Sequence, residues 1–299
     1  MSLPLLAGKR LEFEGRRDDA LKMYMLVLRM GAHLGQDPFG CNSFSAVLCD
    51  VRGLRAIEKW LWSGPMDEET VAAVQKQVHA LSEGRPRWEP LIAGELIMFD
   101  EMVERLQQEP EVLGNYVVEG RGALAQARRR LLRTKIGQEL LVSDSRWLRE
   151  QLVQRFALPL HEYLRTHRDF EMAAGQQMVP LSPGWLMLDR SDRRAVRSYY
   201  GTDELYWTAF DVQCGLLRYR AANGRFPDKL AELEPFILSP ATDPFTNEPL
   251  KYRLEADGLC RFWSVGDNLK DESGVRPEDP KRSKSDDIVW NSPAIRGRD

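Results

Sequence analysis

The chain is poor in the residues that advertise chemistry. It has no run of about 18 apolar residues, so the sequence as given does not span a membrane. Its start lacks the charged-then-apolar pattern of a secretory signal, and Met1-Ser2-Leu3 reads as a scar on a truncated protein. Histidine is scarce, at four in 299 residues, and no pair of them has HExxH spacing; His161 and His167 are six apart and fall on different faces of a helix. The four cysteines (Cys41, Cys49, Cys214, Cys260) form no CxxC pair, which leaves out a zinc ribbon and favours buried thiols or a reducing compartment. A formal charge of -3 argues neither for a nucleic-acid binder nor for a strongly acidic partner. GxSxG, Walker, dinucleotide and Cys/His nucleophile motifs are all missing, so no named reaction is supported.

What is present is mostly helical periodicity, on a chain long enough for two domains. Ala7, Leu11, Gly15, Ala20, Tyr24 and Leu28 follow the spacing of a helical hairpin that turns at Gly15, weakly like one tetratricopeptide repeat. A second copy at that period is absent. Phe44–Leu61 carries a helical apolar stripe stopped by Ser63-Gly64-Pro65, and Asp67-Glu68-Glu69 opens the next helix, which runs to about Leu81. Leu91–Leu106 is another amphipathic helix. The pattern fades between Gly114 and Gly122, then predicts helices over Ala123–Leu141 and Trp147–His167. Residues 1–170 therefore read as an α-helical domain, and 171–198, with Gly175, Pro180, Pro183 and Gly184, as a linker or irregular segment.

Two charged groups invite chemistry and have plain alternatives. Arg128, Arg129, Arg130, Arg133 and Lys135 suit a phosphate or an acidic lipid, but they share a helix with Leu124, Leu131, Leu132 and Ile136 and read as its solvated face. Glu95, Asp100, Glu101 and Glu104 lie on one helix, and Glu101 with Glu104 has the i,i+3 spacing at which carboxylates share a proton or metal. A hydrolase built on this acidic stretch, and a tetratricopeptide-like peptide adaptor, are the alternatives to a non-catalytic protein.

The last third, 199–299, changes character. Leu205–Asn223 is helical, with Gly224 placed as a left-handed cap and Pro227 beyond it. Leu230, Leu233 and Phe236 make a short apolar turn. Leu250–Leu254 and Leu259–Ser264 are strand-like and are joined as a hairpin through Glu255 to Gly258. These residues, with the string Tyr219-Arg220…Asn223-Gly224-Arg225-Phe226-Pro227, the loop Asp243-Pro244-Phe245 and the tail Ser264…Gly266…Asn268…Asp286-Asp287-Ile288, resemble the C-terminal half of the type II secretion major pseudopilins. The family's hydrophobic N-terminal helix should precede Ala209, where this chain has the polar Arg193–Asp203. The combination of helical domain and pilin-like module looks like proteins of planctomycete-type bacteria.

The resemblance implies a calcium ion in the loop. Val265 and Asp267 would offer carbonyls and Asn268, Asp286 and Asp287 side chains, with Asp271 and Glu272 as looser candidates. Asn268 stands where the family has Asp, and Lys281, Arg282 and Lys284 add positive charge to the loop. The expectation is a mainly α N-terminal domain plus a small α+β pseudopilin-like module. It would act as a non-catalytic structural or interaction component with an unknown protein partner, no nucleic acid and no membrane span. The cell envelope or periplasm is expected if a signal or anchor has been removed, and the cytoplasm otherwise.

Overall fold

The computed structural model describes residues 3–36, 40–64, 66–83, 88–109, 111, 122–166, 170, 193–275 and 287–292. The protein is mainly helical and carries a small three-stranded antiparallel sheet near its C-terminus. It divides into two compact units, one made of residues 1–37, 41–86 and 198–299, the other of 38–40 and 87–197.

The first unit opens with helices α1 (Leu3–Phe13) and α2 (Arg17–Leu34). Gly15, at φ +78°, turns the chain between them, a conformation that costs glycine little. Gly8 lies under the Tyr24 ring, where a Cβ would collide with it, and the Tyr24 hydroxyl donates to Glu12 Oε2 at 2.7 Å. Burial, reinforced by Glu12, holds the Tyr24 hydroxyl far above its ordinary pKa. Helix α3 (Gly40–Trp62) joins through Arg17, which stacks on the Trp60 ring and donates to Trp60 O and Ser63 Oγ, both at 2.8 Å. Asp67 caps α4 (Glu68–Glu83) by accepting from Thr70 N at 2.7 Å, and these bonds hold its carboxyl below the usual range.

Helix α8 (Arg193–Asn223), from residue 198 onward, is the spine of this unit. Every residue from Ala209 to Leu216 is buried, so this stretch is covered on all sides. The helix begins well before the expected Leu205 because its polar start finds partners: Tyr199 packs on Phe44 at 4.9 Å and donates to the Phe44 carbonyl at 3.0 Å. Further polar bonds tie the spine to α3 and α4. Trp62 Nε1 donates to Gln213 Oε1 at 3.0 Å, Gln75 Nε2 to Asp211 Oδ1 at 2.6 Å, and Arg218 reaches both Gln75 Oε1 and Glu68 Oε1 at 3.1 Å. Asp211 Oδ2 accepts from Leu238 N and Ser239 N, so one buried carboxylate joins a helix, a loop and a neighbouring helix.

Gly224, at φ +73°, ends α8, and its N–H returns to Arg220 O at 2.8 Å. A 3-10 turn, Leu230–Phe236, follows and buries Leu233. Strands β1 (Lys251–Leu254) and β2 (Cys260–Ser264) form the expected hairpin, with Leu254 opposite Cys260 and Gly258 at φ +78° in the turn. Strand β3 (Ile288–Asn291) pairs antiparallel with the other side of β2, Phe262 opposite Trp290.

The second unit contains α5 (Trp88–Gln108), α6 (Ala123–Leu132), α7 (Lys135–Phe156) and a helical stretch at 160–166. Here the expected helices Ala123–Leu141 and Trp147–His167 are corrected. The chain breaks at 133–134 and again at 157–159. Thr134 causes the first break: its hydroxyl accepts from Gly137 N at 3.0 Å, starting a new helix, and a Cβ at Gly137 would collide with the Leu131 carbonyl. Pro159 stands at the second. Arg149 grips Asp100 with its Nε at 2.8 and 2.9 Å from the two carboxylate oxygens, pinning α7 to α5. Residues 171–192, the greater part of the expected linker, lie outside the described residues.

Candidate metal centre in the C-terminal loop

The loop leaves β2 at Ser264, and its first turn is fixed by a residue far back in the chain. Asp243 is buried; its Oδ1 accepts from Phe245 N at 3.0 Å and Ser264 Oγ at 2.9 Å, and its Oδ2 from Val265 N at 3.1 Å. Burial pushes the Asp243 carboxyl up, and these three donors pull it back towards ionisation. The Asp-Pro-Phe turn and the Ser-Val-Gly turn noted in the sequence are thus two halves of one bonded junction. Gly266, at φ +67°, then swings the chain away from the sheet.

Beyond Gly266 the loop folds on its own side chains. Asn268 Oδ1 accepts from Lys270 N at 2.7 Å while its Nδ2 donates to Glu272 Oε1 at 2.8 Å. Asp271 Oδ1 takes Trp263 Nε1 at 2.9 Å and Ser273 N at 2.8 Å. Gly274 must be glycine on two counts: its φ is +65°, and a Cβ would sit 2.7 Å from the Trp263 ring. Its N–H donates to Asp287 Oδ2 at 2.8 Å, closing the loop on the start of β3.

Asp287 is the electrostatic focus. It is 7% exposed. Its Oδ1 and Glu272 Oε2 are both buried and take no N–H donor among the described residues; with Asp287 protonated the two carboxyls bond to each other. Burial raises the Asp287 carboxyl to about 6 and the Glu272 carboxylate adds to the rise, while the Gly274 N–H works against it. Two neighbouring carboxylates with oxygens that take no N–H donor are costly for a protein to keep and are the donor type a hard cation takes.

Of the expected ligands, Asn268 and Asp287 converge on this spot through Glu272. Val265 is buried at the junction and Asp267 is half-buried beside Gly266; Asp286 lies outside the described residues. Glu272, only a looser candidate in the sequence, is central, because the turns at Leu269 (φ 58°) and Ser273 (φ 65°) fold it back. Asp271 is engaged by Trp263 and Ser273 instead. Among the described residues, no group of three or more His, Cys, Asp or Glu side chains is set to hold a metal. The two carboxylates are donors that suit a hard cation, while Asn268 presents its Nδ2 rather than its oxygen to Glu272.

The other candidate groups are spread over surfaces. Asp100, Glu101 and Glu104 are exposed, and Gln108 Nε2 donates to Glu104 at 3.0 Å; the Glu95 side chain lies outside the described residues. Arg133 is 4.0 Å from Glu111 and the Arg128 side chain is not among those described. His161 is 3.9 Å from Glu162, and His167 lies outside the described residues. Among the described residues, no helix is long and apolar enough to cross a membrane. No family model matches this chain, nor does any curated protein or solved structure.

Proposed function

We propose that this protein is a non-catalytic structural or protein-interaction component linked to the cell envelope or secretion, whose C-terminal loop is held in shape by a calcium ion. The observation that carries the cation is the buried pair Asp287 and Glu272, each with an oxygen that takes no N–H donor among the described residues. A divalent ion between them removes the repulsion and gives both oxygens a partner. The scaffold reading is supported by where the buried polar groups go. Asp211, Gln75 and Asp243 are each spent on fixed tertiary bonds to backbone or neighbouring helices. The resemblance to pseudopilins supports an envelope setting, where calcium is plentiful.

The test is a thermal melt in excess calcium and in chelator, for the native chain and for Asp287→Asn. The amide keeps an acceptor for Gly274 N and drops the charge. A ligand at a hundredfold excess over Kd stabilises by about 2.7 kcal/mol, a rise in Tm of about 5–10 °C for a unit of this size. The native chain is expected to show that rise, and Asp287→Asn to lose it while melting higher than the native chain in chelator. Equal melting of the native chain with and without calcium would remove the ion from the account.

A further inference from the structure

A second feature of the first unit has chemistry of its own. A cleft of ≈ 430 Å³ opens between α3, Tyr206 of α8 and the whole of strand β3. That volume lies within the usual range of ligand sites. Its aromatic wall is rigid: Trp290 stacks on Phe262 at 5.3 Å and meets the Tyr206 ring edge-on at 5.4 Å.

Among the described residues, no strand pairs with the outer side of β3, which lines the cleft. β3 is the last strand in the order β1-β2-β3. Ser292 N donates to Cys260 O at 2.8 Å, and Phe262 is opposite Trp290, so the even-numbered residues of β3 bond back to β2. The peptide groups of Val289 and Asn291 therefore turn away from β2; Asn291 is exposed, while Val289 is buried beside the cleft. Unpaired strand edges are templates for another extended chain.

The α3 side supplies charge. Glu58 lines the cleft but takes a bond from Gln213 Nε2 at 3.4 Å, and Arg55 is laid over the Tyr206 ring and donates to its hydroxyl. Lys59 is exposed and has no ion pair among the described residues. Among the described residues that line the cleft, two cations stand against one carboxylate, and Lys59 is the less committed of the two.

We propose that this cleft binds an extended peptide bearing acidic side chains, which adds as a strand to the outer edge of β3 and sets a carboxylate against Lys59. The proposal names the partner chemistry for the interaction reading given above and rests on that reading, not on the cation. Main-chain bonds to Val289 and Asn291 give the register, and the alternate side chains of the guest face Trp290 and Tyr206 on one side.

The experiment uses the full chain and a short, blocked, fluorescein-labelled peptide alternating valine and glutamate, with a valine–lysine peptide as comparison. Fluorescence anisotropy is read in calcium and in chelator. The acidic peptide is expected to bind at least tenfold more tightly than the basic one. Lys59→Glu, an exposed change, should weaken it at least tenfold. Asn291→Pro should abolish binding, because it removes an outward N–H that the sheet does not use. Circular dichroism melts confirm that both variants remain folded; should the proline variant unfold, Lys59→Glu decides alone. Saturable binding to neither peptide at millimolar concentration, or variants that bind like the native chain, would overturn the proposal. Peptide binding without a calcium-dependent melt keeps the cleft and removes only the ion; the reverse removes only the cleft.

Discussion

At the scale of single residues, Asp287 sets a pH dependence whose sign is fixed by its environment. Its folded pKa, about 6, is above the ordinary 3.8, so the native state holds this proton more tightly than the unfolded chain does. The stability that goes with the protonated form is full below about 4 and is lost as pH rises through about 6. Urea unfolding of the chelated protein should therefore give a midpoint that falls between these values, and Asp287→Asn should flatten that fall. A calcium ion bound as proposed would compete with the same proton, so its stabilising effect should grow as pH rises through 6. The loop also marks how far residues alone could be read. Asn268 and Asp287 stand in an ordered string and were visible. Glu272 was only a looser candidate, since its place depends on two left-handed turns at non-glycine residues, Leu269 and Ser273, that no propensity favours.

At the scale of elements, local chemistry was legible and its interruptions were not. The end of α8 at Gly224, the Asp67 start of α4 and the hairpin closing at Gly258 each depend on a few adjacent residues with one strong preference. The break between α6 and α7 is different. The apolar period runs through it, and only a threonine that is unremarkable in sequence turns the backbone out at 134. Thr134→Ala removes the acceptor for Gly137 N and should cost about 1 kcal/mol, read as a lowered urea midpoint without change in slope. An unchanged midpoint would mean that Gly137 packing alone starts α7. The early start of α8 was equally hidden: Arg193–Asp203 is polar, and its helix is supported by Phe44 and by burial of Asp203 rather than by an apolar stripe.

At the scale of the whole molecule, the mainly helical class with a small terminal sheet was readable because it sums many local signals. The packing of the spine against α3 and α4 was not, since the bonds between them join residues more than a hundred positions apart. Gln75 and Asp211 look like ordinary polar positions on two amphipathic helices; together they are the buried clamp between α4 and the spine. Asp211→Ala leaves Leu238 N, Ser239 N and Gln75 Nε2 without that acceptor. It should cost about 3 kcal/mol or more, measured by urea unfolding followed by tryptophan emission. A loss under about 1 kcal/mol would show that α4 and the spine are held by apolar contact alone.

The same architecture places an optical reporter inside the loop. Trp263 sits in β2, yet its indole N–H is held by Asp271 and its ring forms the floor on which Gly274 rests. Any rearrangement that lifts Gly274 off the ring, or frees Asp271, exposes the indole to water and moves its emission to longer wavelength. The difference spectrum between the native chain and Trp263→Phe therefore isolates the loop from the other seven tryptophans. Loop closure can be timed on that signal in a stopped-flow mixing experiment, with no label attached to the protein.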